Sequence, residues 1–190
     1  MDIKMTNDNL EGLPNDLIYS IQKIYVPAGL QVTTKALREP ESSEYGACRF
    51  GLNDYGIAFR VAKTTPTKLG QFVTIWKRPT PKGEIAPLDA TDNVDFVIVF
   101  VSSGIHRGQF IFDQKILLEK RIMSQGDKEG KRAFRIYPPW TTSLSKEALK
   151  TQKWQLPYFF SLEQNLTKSF EEIRKLFQQK RIGIQPRNSL

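Results

Sequence analysis

Residues 57–78 read IAFRVAKTTPTKLGQFVTIWKR, and this stretch decides the fold class. In IAFRVAK, Ile57, Phe59 and Val61 alternate with Ala58, Arg60 and Ala62. In QFVTIWKR, Phe72, Thr74 and Trp76 alternate with Gln71, Val73, Ile75 and Lys77. Period-two alternation of β-branched and aromatic residues marks strands. Pro66 and Gly70 in the intervening TTPTKLG fix a turn, so the stretch is predicted as a hairpin. No Asp or Glu occurs from Tyr55 to Gly83, whereas Arg60, Lys63, Lys68, Lys77, Arg78 and Lys82 all do. A basic hairpin carrying aromatics suits a polyanion. It equally suits an edge defended by lysines against aggregation.

Upstream, Leu17, Ile18, Ile21, Ile24 and Tyr25 recur at helical spacing, with Pro14 before them and Pro27 and Gly29 after. REPESSEYG (38–46) is a turn-rich connector carrying Glu39, Glu41 and Glu44; ACRFGLN is a strand, and LNDYG supplies a hairpin turn. Downstream, prolines break every period in 79–93, which reads as a loop. VDFVIVFV (94–101) is an unbroken apolar run of the kind found in a fully buried central strand. QFIF follows as a short strand, DQKILLEKRI as a helix with Asp113 at its N-cap, SQGDKEGKR as a polar loop and AFRIY as a strand. Helical spacing returns over 143–155 and over 162–179. Strands flanked by helices predict an α+β or mixed α/β domain over 13–180, with a flexible N-terminus (1–12) and a tail (181–190).

The chain has 190 residues and a net charge of +8, with a single cysteine, Cys48, and a single histidine, His106. The charge and a pI near 9.6 point to nucleic acid, an anionic surface or an acidic ligand. One cysteine excludes an internal disulfide and points to a reducing cytoplasm; Cys48 itself reads as a buried structural thiol. No apolar run reaches the roughly 18 residues of a spanning helix, so no membrane partner is expected. One histidine and one cysteine exclude multi-histidine and cysteine-based metal sites.

Three constellations could carry chemistry. Val94-Asp95 and Asp113-Gln114-Lys115 approximate a P-D…(D/E)-x-K pattern, in which Asp95 and Asp113 would hold Mg²⁺ and Lys115 would orient the attacking water. The alternative makes Asp113 a helix cap with Lys115 turned to solvent. His106 lies in SSGIHRG beside Ser102 and Ser103, with no nucleophile-elbow or zinc-binding context. GKRAFRIYPPW (130–140) and KTQKWQ (150–155) bring Lys131, Arg132, Arg135, Lys150 and Lys153 together with Tyr137, Trp140 and Trp154. Cations contact phosphates and aromatic rings stack on unpaired bases. Phosphate contacts are therefore expected from Arg60, Lys63, Lys68, Lys77, Arg78, Arg132, Arg135, Lys150 and Lys153, with Gln71 on the same hairpin and stacking from Trp140 or Trp154.

The strings FRVAKTTPTKLGQFVTIWKR, GQFIF, EGKRAFRIYPPW and KTQKWQLPYFF resemble the MepB family of bacterial proteins, over about Glu39 to Phe160. The resemblance implies the fold of the PD-(D/E)xK endonucleases, a mixed central sheet flanked by helices, without an intact catalytic set. It implies a protein that binds DNA or RNA without a cofactor. The other readings are a Mg²⁺-dependent nuclease using Asp95, Asp113 and Lys115, and a protein-interaction module with a basic face.

Overall fold

The computed structural model describes residues 10–80, 82–163 and 165–179. Its elements are α1 (Asn15–Ser20), continued by a π-helical turn (Ile21–Tyr25), then β1 (Val32–Arg38), β2 (Cys48–Leu52), β3 (Tyr55–Val61) and β4 (Lys63–Thr65). β5 (Lys68–Thr74), β6 (Trp76–Lys77), β7 (Ala86–Pro87), β8 (Phe96–Ser103), β9 (His106–Asp113) and α2 (Gln114–Glu119) follow. β10 (Ala133–Ile136), α3 (Lys146–Gln155), β11 (Phe159–Ser161) and α4 (Leu166–Gln179) complete the fold.

Six strands form a mixed sheet in the order β1-β2-β3-β8-β9-β11. β3 and β8 run parallel, with Ile57 opposite Phe96 and Val61 opposite Phe100. The other neighbours are antiparallel. Alternation along the inner strands divides the core in two. Ile57, Phe59, Phe96, Ile98 and Phe100 pack with Leu17, Ile24, Ile173 and Phe177 beneath α1, the π-helical turn and α4. Ala58, Val97, Val99 and Val101 pack on the other face with Val73, Phe134 and Ile136 of a three-stranded sheet, β10-β5-β4, and with Ile75 just beyond β5. VDFVIVFV is apolar throughout because both of its faces are covered.

The predicted hairpin 57–78 divides between these layers. IAFRV enters the middle of the six-stranded sheet, because both of its faces can be buried, whereas Lys63 already begins β4 of the second sheet. The strand opposite β5 is instead β4, with Thr65 facing Lys68 across the turn. β5 also pairs with β10, where Val73 faces Phe134. β6 pairs with β7 inside the predicted loop 79–93.

Polar contacts tie the helical layer to the sheet and to itself. Gln109 of β9 donates through Nε2 to Ser20 Oγ (2.9 Å) and accepts from the Tyr25 hydroxyl (2.8 Å). Arg174 of α4 donates to the Ala28 carbonyl at 2.8 Å. Of the predicted flexible N-terminus, residues 1–9 lie outside the described residues, as does the 181–190 tail. Leu10 is buried in the helical core. Among the described residues no helix is long and apolar enough to cross a membrane.

Candidate nucleic-acid interface

The window from Tyr55 to Gly83 lacks acids in sequence, yet in space the preceding connector brings carboxylates to it. Glu39 accepts from Arg49 Nε at 2.9 Å, and its Oε2 lies 2.7 Å from Arg60 Nη1. One N–H of that nitrogen donates to the Phe59 carbonyl, and Oε2 receives no aligned hydrogen bond, so its approach to Arg60 is a charge contact. Arg60 is fully buried, and burial lowers its pKa while the Glu39 carboxylate opposes the shift. Glu41 accepts from Arg78 Nε at 2.9 Å, and Arg78 Nη1 also reaches the Gly83 carbonyl. Glu44 lies 3.5 Å from Lys63 Nζ, and Asp92 lies 2.5 Å from Lys77 Nζ. Arg60, Lys63, Lys77 and Arg78, expected to hold phosphate, are thus neutralised within the chain. Arg60 is the plainest correction: strand alternation turns it under the second sheet, away from solvent.

Two further expected contacts brace the β4–β5 hairpin. Gln71 is buried, and its Nε2 donates to Thr64 Oγ1 at 3.1 Å and to the Ser102 carbonyl at 2.8 Å. Arg135 of β10 donates through Nη2 to Thr65 Oγ1 at 2.6 Å and through Nη1 to the carbonyls of Lys68, Leu69 and Gly70. Lys68 itself is exposed, with no acidic partner among the described residues.

Of the second basic cluster, Lys131, Arg135, Tyr137 and Trp154 converge. Ser145 caps α3 by accepting from Ala148 N, and α3 docks on β10 through the buried Gln155. Gln155 Nε2 donates to the Arg135 carbonyl (2.8 Å), and its Oε1 accepts from Tyr137 N (2.9 Å). The junction leaves a groove of about 240 Å³ lined by Lys120, Lys131, Arg135, Tyr137, Thr151 and Trp154, among others. Trp154 rests half-buried on Phe112, with the Lys120 ammonium 5.9 Å from its ring centroid. Lys131, Lys150 and Lys153 are exposed, with no acidic partner among the described residues. Arg132 at the rim pairs with Glu129 at 2.9 Å. Trp140 lies apart from this groove, stacked on His106 with ring centroids 5.2 Å apart.

The carboxylates of the nuclease reading serve the backbone. Asp95 Oδ2 accepts from Gly56 N at 2.8 Å. Asp113 Oδ1 accepts from Ile116 N at 2.8 Å and caps α2. Lys115 lies on the first turn of that helix, exposed, so the shared strand face needed for D-x-K to converge on Asp95 does not exist. Among the described residues no three His, Cys, Asp or Glu side chains gather to hold a metal. His106 Nδ1 lies 3.5 Å from Glu163, and Cys48 is buried, its thiol pushed up to about 11 by burial.

The MepB-like family model matches residues 39–161. The chain belongs to the MepB-like family. It is similar to the crystal structure of MepB at 29% identity, covering 85% of this chain and 100% of that one with a TM-score of 0.68. Among curated proteins none matches this chain. The family region holds the connector acids, the hairpin and the α3–β10 groove alike.

Sequence reasoning missed Lys120 and Gln155. Lys120 follows α2 without an aromatic neighbour in sequence, and only the fold carries it to Trp154. Gln155 reads as one more polar residue at a helix end, and nothing in its spacing announces burial.

Proposed function

We propose that this chain binds nucleic acid on a PD-(D/E)xK endonuclease-like scaffold, through the groove between α3 and β10 and without cleaving the strand. The observation that carries the reading is the meeting of unpaired Lys131 with the half-buried rings of Tyr137 and Trp154 in one groove, with unpaired Lys150 and Lys153 exposed on the same helix as Trp154. Ammonium groups neutralise phosphates, and an accessible indole offers a face to an unpaired base. Cleavage is set aside because Asp113 caps α2 and Lys115 is exposed on that helix's first turn, so the D-x-K residues share no strand face aimed at Asp95.

The test is fluorescence anisotropy with single-stranded DNA, duplex DNA and RNA at several salt concentrations. With three or four phosphates neutralised, log K against log salt should slope at about −2 to −3 for single strands. Lys131→Glu with Lys153→Glu should weaken all strands and flatten the slope, whereas Lys63→Glu should change little. A flat salt dependence, or equal loss from Lys63→Glu, refutes the assignment.

A further inference from the structure

A separate pocket of about 480 Å³ opens where the β4–β5 turn, the end of β8 and the segment 140–142 meet. Each wall is braced by a side-chain hydrogen bond. Arg135 grips the turn through the carbonyls of 68–70 and Thr65 Oγ1. Gln71 ties Thr64 to the Ser102 carbonyl beside Ser103. Gln152 of α3 donates to the carbonyls of Pro138 (3.0 Å) and Thr141 (3.1 Å), fixing the segment that carries Trp140. Such bracing spares a ligand the cost of ordering the site.

The lining is rich in donors. Thr64 and Thr65 accept hydrogen bonds through Oγ1, so each hydroxyl proton remains free to donate. Thr67, Thr141, Thr142 and Ser103 add hydroxyls, Lys68 adds an ammonium, and among the described residues no carboxylate lines the pocket. Trp140, Pro66 and Leu69 supply apolar surface beside these donors. The volume falls in the range of small-molecule sites. The chemistry selects a ligand with an anionic head and a flat body.

We propose that this pocket binds a nucleoside monophosphate, free or as the terminal nucleotide of a strand, with its phosphate on Lys68 and the threonine hydroxyls and its base beside Trp140. The inference does not depend on strand binding in the α3–β10 groove, and the two fail separately.

The test is calorimetric titration of the full chain with AMP, GMP, CMP and UMP, beside adenosine and inorganic phosphate, with amide chemical shifts mapped by NMR. Nucleoside monophosphates should bind and shift residues 64–71 and 140–142. Lys68→Ala, in an exposed turn, should weaken them about tenfold or more, as expected for a lost charge-assisted bond. Lys68→Arg should retain binding, and Lys131→Glu should leave it unchanged. Oligonucleotides with and without a 5′-phosphate identify the source: a gain from the terminal phosphate marks a strand end, and its absence with tight mononucleotide binding marks a free nucleotide. Failure of every nucleotide to bind overturns the inference. So does an unaffected Lys68→Ala, binding of adenosine or phosphate alone as tightly as AMP, or shifts confined to 131–137 and 151–155.

Discussion

Glu39→Gln should be the costliest conservative change in the connector. Arg60 is fully buried, and its Nε and Nη2 have no hydrogen-bond partner among the described residues. Its guanidinium is compensated by the Glu39 carboxylate at 2.7 Å and the Phe59 carbonyl at 2.9 Å. The amide removes the charge while keeping the shape, and leaves Arg49 and Arg60 facing one another. Breaking a buried pair by removing one partner costs about 3–5 kcal/mol. For a domain of this size that is a fall of about 6–20 °C in Tm. Arg60→Met should cost far less, because Glu39 retains Arg49 and is itself partly exposed to water. Thermal and urea unfolding of both variants and the double mutant closes the cycle. Glu39→Gln within about 1 kcal/mol of wild type, or Arg60→Met as damaging as Glu39→Gln, refutes the claim that an uncompensated buried cation sets the cost.

Asp113→Ala should lose about 1 kcal/mol through the α2 cap, while Asp113→Asn retains most of it; urea midpoints separate the two. Gly70→Ala should destabilise by at least about 1–2 kcal/mol, since φ is +74° and a Cβ would lie 2.6 Å from the Tyr137 ring. Leu69→Ala, exposed on the same turn, should stay within about 0.5 kcal/mol in the same melts. The native Cys48 thiol should resist iodoacetamide at pH 8 and react on denaturation. Its pKa rises from 9.0 to about 11 in the fold, so the unfolded chain releases that proton first. Stability should therefore fall as pH rises between those values, and a Cys48→Ala variant should lack that component.

The sequence was most legible where one element answers to one pattern. VDFVIVFV, the Asn53-Asp54 turn and the α2 cap all follow from local chemistry, and both turn residues adopt positive φ. β1 escaped notice because its register slips between Val32 and Thr34 and again between Thr34 and Leu37, which breaks the alternation that betrays a strand. β11, at three residues, is too short to carry a period. The candidate groove was legible in part as composition: Lys131, Tyr137 and Trp154 line it together. The basic hairpin misled because charge was counted along the chain, whereas its counter-charges fold back from Glu39, Glu41 and Glu44. A close pair such as Arg60 and Glu39 has no signature in a one-dimensional pattern.

The parallel seam between β3 and β8 bears on how fast this chain reaches its native state. Gly56 and Asp95, bonded across that seam, are 39 residues apart, and Arg135 reaches Thr65 across 70. The β2–β3, β4–β5 and β8–β9 ribbons close short loops, whereas the seam and the β10–β5 pairing must each close a long one before any contact repays the lost chain entropy. The intervening segment 62–93 carries β4 and β5, two of the three strands of the second sheet, which lack β10 until both closures occur. Refolding should accordingly be slow for a domain of this size, in the millisecond-to-second range of mixed and β-rich topologies. Weakening the seam at Val99 should retard folding more than weakening the β4–β5 ribbon at Thr64, a difference that stopped-flow refolding of the two variants measures.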